Sequence, residues 1–277
     1  MKPKHKVIQA LVEKKSIEAV ESKKTFAPLL RSFFTEVTLI SRFVARFFKE
    51  FFIPPYEFIE FFKQCYMVGY KSLPLVGITG LIMGLVLTIQ ARPTLAEFGA
   101  ESWLPAMVSV SIVREIGPVI TALICAGKVG SGIGAELASM KVTEQIDAME
   151  VSGINPFKYI VVTRTLATTL MVPVLVIISD FIALIGSFLA VNITSTVNFK
   201  LFFYHVFEKL DFSDLFPAFI KTFFFGFAIG ILGCYKGYTS NNGTEGVGNA
   251  ANTAVVIASL AIFILDMIAV QITSLLS

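Results

Sequence analysis

The chain has few charged residues and few of the residue types that build catalytic or metal sites. Only 16% of its 277 residues are charged, whereas a soluble domain carries roughly 25%. It holds two histidines and three cysteines, and no two of these cysteines (Cys65, Cys125 and Cys234) share a short spacing. The cysteines therefore support neither a zinc site nor a disulfide framework, and apolar neighbours are typical of cysteines that pack between helices.

Hydrophobic residues make up 55% of the chain, and the mean hydropathy is +0.75. Several runs reach the roughly 20 apolar residues that are needed to cross a bilayer. The sequence therefore predicts an all-α, polytopic membrane protein with about five transmembrane helices. The predicted spans are about Leu73–Ala91, a run from Leu104, Tyr159–Val191, Leu215–Tyr235 and Ala250–Leu276.

Positive charge is concentrated at the N-terminus. Residues 1–50 hold eleven Lys/Arg and five Asp/Glu, a net charge of +6, and the whole chain carries only +3. A basic arm on a membrane protein indicates the cytoplasmic side, and five spans then leave the C-terminus outside. The arm has few aromatics among its lysines, which argues against nucleic-acid binding, and residues 1–25 contain no signal peptide. We expect a basic polar tail over 1–28, interfacial helices over 29–70 and a transmembrane domain over 71–277.

An amphipathic helix is predicted over residues 29–52, because polar residues recur every three or four positions among phenylalanines. In the membrane interface its basic residues can reach lipid phosphates while the phenylalanines enter the acyl region. Pro54-Pro55 ends this helix, and a second amphipathic segment, Tyr56–Tyr70, leads into the first span. These segments serve either as anchors only or as a lateral gate for lipid.

Charged and small residues interrupt the spans. Arg114 and Glu115 lie inside the second apolar run, where each unpaired charge would cost roughly 2.5–3.5 kcal/mol, so they face a polar cavity, a partner or an interface. They meet either a polar headgroup or each other as a structural ion pair, and Pro118 can kink the helix beside them. Asp180 is either functional or hydrogen-bonded to a neighbouring helix, and the fifth span carries Asp266. Close helix packing is predicted at two groups of small residues: Gly77, Gly80 and Gly84, and then Ala126, Gly127, Gly130, Ser131, Gly134 and Ala135.

A short polar helix is predicted within residues 141–156, with Thr143 as its N-cap and Gly153 and Pro156 as its stop. One side is acidic and the other apolar, so the helix is either solvated or a docking element for a soluble partner. The acidic side holds Glu144, Asp147 and Glu150, and the apolar side holds Val142, Ile146 and Met149. Flanking Lys141, Lys158 and Arg164 place it in the cytoplasm. Elsewhere we expect an aromatic loop over 192–214 and a helix-breaking loop over 234–256.

Two glycine-rich strings are not nucleotide sites. GKVGSG has Ala122 and Val129 where a P-loop needs glycine and Ser/Thr, and GSGIGA follows an apolar helix instead of a strand. Two longer segments are more specific. REIGPVITALICAGKVGSGIGAELASMKVTEQIDAMEVSGINPFKYIVVTR (114–164) and CYKGYTSNNGTEGVGNAANTAVV (234–256) resemble the two signatures of the MlaE/YrbE family, the permease subunits of ABC transporters that work with MCE lipid-carrier proteins. The resemblance covers about residues 55–277.

The resemblance implies a homodimer of five-span subunits in the bacterial inner membrane, with a cytoplasmic N-terminus and a periplasmic C-terminus. It implies a cytoplasmic ABC ATPase that binds ATP and Mg²⁺, an MCE partner outside, and phospholipid or a related lipid as cargo. This chain itself would then be no enzyme and would hold neither cofactor nor metal. The implied ATPase-coupling helix comprises Thr143, Glu144, Gln145, Ile146, Asp147, Ala148, Met149 and Glu150. The implied lipid-cavity residues are Gly84, Leu87, Gln90, Arg92, Arg114 and Glu115, of which Arg92 departs from the apolar residue expected in some relatives.

Two other functions remain open at this point. An ion-gradient-driven transporter would use Asp180, Glu115 and Asp266 as ion or proton sites and would be expected to show internal repeats, which the sequence lacks. A membrane-embedded lipid enzyme would need clustered catalytic groups, but the acids are scattered and His5 and His205 lie far apart.

Overall fold

The computed structural model describes residues 31, 34–194, 197–240 and 243–276, so the whole predicted N-terminal tail, 1–28, lies outside it. The chain divides into two compact units, Met1–Lys49 and Glu50–Ser277. The first unit contains most of helix α1, which runs from 34 to 51 as the amphipathic spacing predicts. The helix ends just before Pro54-Pro55, which confirms the predicted stop.

The second unit is all-helical in its described residues. After α1, the helices are α2 (Phe58–Val68), α3 (Leu73–Glu97), α4 (Glu101–Val142), α5 (Gln145–Val151), α6 (Thr163–Thr194), α7 (Phe199–Lys209), α8 (Phe212–Tyr238) and α9 (Thr244–Leu276). Helices α3, α4, α6, α8 and α9 are long and apolar enough to cross a membrane, so the predicted five-span, polytopic all-α fold is confirmed. A short turn, Tyr70–Ser72, joins α2 to α3.

Two predicted loops are largely helical. Residues 192–214 contain α7, whose Phe202 and Val206 are buried in an apolar cluster and whose N-terminus is capped by the side chain of Asn198. In the segment 234–256, α8 continues to Tyr238 and α9 begins at Thr244. Glycine does not break the helix here, because Gly237 packs directly on α4: a Cβ at Gly237 would lie 2.7 Å from the Gly134 carbonyl oxygen.

Small residues bring the spans into backbone contact, as predicted for Gly80 and Gly84. A Cβ at Gly84 would lie 1.8 Å from the Ala183 carbonyl oxygen of α6. On α4, a Cβ at Gly134 would lie 3.1 Å from the Ala250 carbonyl oxygen of α9. Gly127, on the other small face of α4, has nothing within 4 Å of its Cβ position among the described residues, so no close backbone contact is formed at this glycine.

The two ends of the bundle are built differently. One end carries α5 and the turn between α8 and α9, where the Lys141 ammonium donates to the Ser240 carbonyl oxygen at 2.8 Å. At this end Arg164 also pairs with Glu136 at 2.8 Å. The opposite end carries α7, where Lys209 lies over the Trp103 ring. The basic residues that flank α5 therefore hold the fold together in addition to marking a side of the membrane.

Candidate functional site: a charged cleft inside the bundle

A buried lysine joins three membrane-spanning helices. Lys221 of α8 donates hydrogen bonds to Glu115 of α4 at 2.7 Å and to Asp266 of α9 at 2.9 Å. The Lys221 side chain is only 5% exposed, whereas Glu115 is 42% and Asp266 20% exposed. We call these three residues the ion triad. One positive charge faces two carboxylates, so the triad carries a formal charge of −1 when all three are ionised.

The backbone of α4 changes where it presents Glu115. Residues Ile112–Ile116 form a π-helical turn, and Pro118 lies two residues beyond its end. A π-turn inserts one extra residue per turn and redirects the side chains, and such turns are frequent at functional sites. Proline has no backbone N–H, so one helical hydrogen bond is absent there in any case. Arg114, Glu115 and Pro118 therefore lie at a π-helical turn of α4, and the proline kink predicted from sequence describes this region incompletely.

The ion triad borders a small polar cleft between α4, α8 and α9. Its walls include Arg114, Glu115, Pro217, Lys221, Thr273 and Ser274. The cleft has a volume of about 60 Å³, which is room for a few water molecules only. A single chain therefore offers charged groups at this place but no chamber that could hold a lipid.

The structure places the six implied cavity residues in different environments. Arg114 and Glu115 line the cleft. Gly84 instead packs against α6, and Leu87 packs against the apolar cluster shared by α3, α4, α6 and α7. Arg92 lies 3.8 Å from Glu101. Gln90 is exposed. Within one chain these residues do not form a single pocket.

Sequence reasoning missed Lys221, the centre of the ion triad. The signal was present, because a lysine lay inside the predicted span Leu215–Tyr235, where an unpaired charge is costly. Glu115 pairs with this lysine across helices, so the predicted choice between a headgroup contact and an Arg114–Glu115 ion pair was incomplete. Asp180 makes no hydrogen bond to a neighbouring helix in the described residues.

The short polar helix α5 lies at the end of the bundle far from α7. Thr143 is not its N-cap, because its hydroxyl donates back to the Ser139 carbonyl oxygen at the end of α4. The capping position is Glu144, with a left-handed backbone (φ 57°), and the helix then runs from Gln145 to Val151. Gly153, with φ of 79°, ends it as predicted.

The two sides of α5 differ as the spacing predicts, but the apolar side is turned inward. Ile146 is 5% exposed and packs inside the protein, so it is not a surface contact for a partner. Glu144, Asp147 and Glu150 are all exposed. Val151, at 91% exposure, is an exposed large apolar residue at the end of α5.

The family model for Permease MlaE matches residues 61–272, which is most of the chain. The chain belongs to the MlaE permease family. A probable ABC transporter permease protein of Rickettsia typhi is 38% identical over 211 residues, covering 76% of this chain and 82% of the relative. A protein of the same description from Synechocystis is 38% identical over 202 residues, covering 73% and 77%. One from Pyropia yezoensis is 37% identical over 210 residues, covering 74% and 78%.

As an MlaE-family ABC permease, the chain is a multi-pass transport subunit. This membership does not support the gradient-driven alternative, and the structure adds a second reason. Two of the three acids assigned to ion binding, Glu115 and Asp266, already share Lys221. In the described part of the MlaE permease, no cluster of three or more His, Cys, Asp or Glu side chains is placed to hold a metal ion.

Proposed function

We propose that this MlaE permease moves phospholipid or a related lipid between the inner and outer membranes of a bacterium. A separate cytoplasmic ATPase, which binds ATP and Mg²⁺, supplies the energy, and an MCE carrier protein exchanges lipid with the permease in the periplasm. The permease lies in the inner membrane with its N-terminus in the cytoplasm and its C-terminus in the periplasm. The observation that carries the proposal is the ion triad and its cleft.

The cleft has the charges that a phospholipid headgroup needs. Ionised side chains inside a membrane are stable only if they are paired or face a polar cavity. Arg114 and Lys221 supply positive charge for a phosphate, and Glu115 and Asp266 supply negative charge for an amine. Because Glu115 is 42% exposed, one carboxylate is open to an incoming group while Lys221 stays buried.

A second copy of the chain completes the cavity in this proposal. The cleft of one chain is too small for a lipid, and its charged residues would face hydrocarbon if nothing covered them. Helix α9 beside the cleft is the least buried span: 17% of its most apolar window is buried, against 56% for α8. Two copies meeting along α9 and α3, the span with the next lowest buried share at 33%, would enclose both clefts in a shared chamber.

This arrangement predicts a disulfide between copies. Ile264 of α9 is 55% exposed, and we expect Ile264→Cys in a Cys65→Ser background to cross-link as a dimer in membranes under mild oxidation. The measurement is the intensity of the cross-linked dimer band on non-reducing gels, with the protein expressed at a low level. The control is Leu189→Cys on α6, which is also exposed but lies on another span. Equal cross-linking of both variants would argue against α9 as the dimer contact.

Helix α5 is the proposed docking element for the ATPase, with Glu144, Asp147 and Glu150 meeting a basic surface. We expect Glu144→Lys combined with Asp147→Lys to reduce the co-purified ATPase by about tenfold or more, because like charges across an interface cost several kcal/mol. The control is Glu208→Lys on α7, an equally exposed acid at the opposite end. If the α5 variant recovered as much ATPase as the unaltered chain, α5 would not be the docking element.

The proposed function itself is tested with the complete transporter. The permease is co-expressed with its ATPase and MCE subunits and reconstituted in liposomes, and transfer of a fluorescent phospholipid to or from the MCE protein is followed. We expect transfer to require ATP hydrolysis and the unaltered ion triad. Lipid transfer driven by an ion gradient without ATP would overturn the proposal.

A further inference from the structure

A second concavity lies between α4, α6 and α8, and its walls are almost entirely hydrocarbon. Its volume is about 380 Å³, which falls within the roughly 300–1,000 Å³ of small-molecule sites. Phe212 and Phe216 lie at its rim and are 89% and 66% exposed, so the groove opens at the surface of the bundle. Ala218 lines both this groove and the charged cleft, so the two sites are neighbours.

One acidic side chain, Asp180 of α6, interrupts this apolar wall. Its Oδ1 oxygen is buried and accepts no hydrogen bond from the described residues. A buried acceptor without a donor is unfavourable and rare in folded proteins. Lys221, the nearby cation, already donates to Glu115 and Asp266. Asp180 therefore lines the groove and carries one oxygen, Oδ1, that the described residues leave without a hydrogen-bond partner.

The backbone of α4 is shaped to receive this carboxyl group. A Cβ at Gly117 would lie 1.8 Å from Asp180 Oδ1, a distance that no side chain tolerates. Glycine at this position is therefore what allows the carboxyl group to lie against α4. Gly117 follows the π-helical turn Ile112–Ile116 directly, so the irregular stretch that presents Glu115 to the cleft also positions Asp180 beside the groove.

We propose that this groove binds a single hydrocarbon chain whose head donates a hydrogen bond to Asp180. The apolar walls fit the chain, and the one unsatisfied acceptor fits an O–H or N–H donor at its end. A hydroxyl and a protonated amine share this chemistry. The site faces the outside of the bundle between α6 and α8, and it does not depend on the lipid cavity that a second copy would form with α9.

The test uses the full chain in nanodiscs of phosphatidylcholine, a lipid whose headgroup has no hydrogen-bond donor. Three probes carry the same photoactivatable hexadecyl chain and end in a hydroxyl, an amine or a methyl ether. After irradiation, labelled peptides are mapped by mass spectrometry. Because a hydrogen bond to a carboxylate contributes about tenfold or more in affinity, we expect the alcohol, the amine or both to label Ile177 and Phe219 about tenfold more than the ether does.

Two variants test the acceptor in independent ways. Asp180→Leu removes it at similar size, and Gly117→Ala displaces it without changing any polar group. Both variants should lower labelling by the alcohol and amine probes to the level seen with the ether probe. Gly127→Ala, on the same helix with open space around its Cβ position, should keep the difference.

The proposal would be overturned if, in the unaltered chain, the ether probe labelled the groove as strongly as the alcohol and amine probes do. No labelling of the groove above that of exposed membrane-facing residues such as Leu260 would overturn it too. Because the assay involves no ATPase, MCE protein or transport, its failure leaves the proposed transport function untouched, and loss of transport in other variants does not bear on it.

Discussion

Replacing Lys221 by methionine is expected to destabilise the folded permease by about 3–5 kcal/mol, because it removes one partner of a buried ion pair, and to abolish lipid transport. Lys221 is held at 2.7 Å from Glu115 and 2.9 Å from Asp266. Methionine keeps most of the volume of the side chain and removes its charge. Glu115 and Asp266 then both lose their ammonium partner in the membrane-spanning part of the protein.

The buried cysteines of the chain can report the loss of stability in the Lys221→Met variant. Cys125 and Cys234 are buried, so their reaction with a thiol-specific dye in a Cys65→Ser background reports unfolding in an SDS titration. The exposed Lys200 provides a matched control, and Lys200→Met should change the free energy of unfolding by less than about 0.5 kcal/mol. An equally small effect of Lys221→Met would show that the ion triad does not stabilise the fold.

A triple variant separates stability from transport. Glu115→Gln, Lys221→Met and Asp266→Asn together remove every charge of the ion triad, and replacing a whole buried ionic group is often neutral for stability. We expect the free energy of unfolding to recover while lipid transport remains absent. Recovery of transport together with stability would mean that the ion triad serves the fold alone.

Gly84→Ala is expected to destabilise the permease by about 1–3 kcal/mol, since overpacking forces the backbone apart. The added Cβ would lie 1.8 Å from the Ala183 carbonyl oxygen, and neither atom belongs to a flexible side chain. Helices α3 and α6 must therefore separate. The same thiol-labelling titration measures the loss.

Gly127→Ala is the matched control for this substitution. It lies in the apolar part of α4 with nothing within 4 Å of its Cβ position, so alanine should leave stability unchanged or raise it by up to about 1 kcal/mol through helix propensity. If Gly84→Ala changed the free energy of unfolding no more than Gly127→Ala does, the close contact of α3 with α6 would not contribute to stability.

Local sequence determined the spans of this protein. Hydropathy over about 20 residues predicted five spans and the entry of the second at Leu104, because an apolar run of that length has no stable alternative to crossing the bilayer. Local signals also predicted the stops at Pro54-Pro55 and Gly153. Resemblance to the MlaE signatures supplied the family, which the match over residues 61–272 confirmed.

Local sequence misjudged the segments that depend on neighbours. A helix-breaking loop was predicted over 234–256, but the helices are interrupted only between Tyr238 and Thr244, and Gly237 packs against α4 within α8. Thr143 was assigned as a cap from its position alone, yet its hydroxyl bonds to Ser139. At Gly237 a contact with another helix outweighs the propensity of the residue, whereas at Thr143 the hydroxyl bonds to the last turn of α4, four residues earlier.

The candidate site was decided by tertiary structure. Glu115, Lys221 and Asp266 are separated by 106 and 45 residues, and no spacing rule links positions on three different helices. The sequence showed that each charge was too costly to face lipid, and therefore that each needed a partner. The packing of α4, α8 and α9 decided which charges became partners. The packing of α6 against α4 and α8 left the carboxyl group of Asp180 beside an apolar groove.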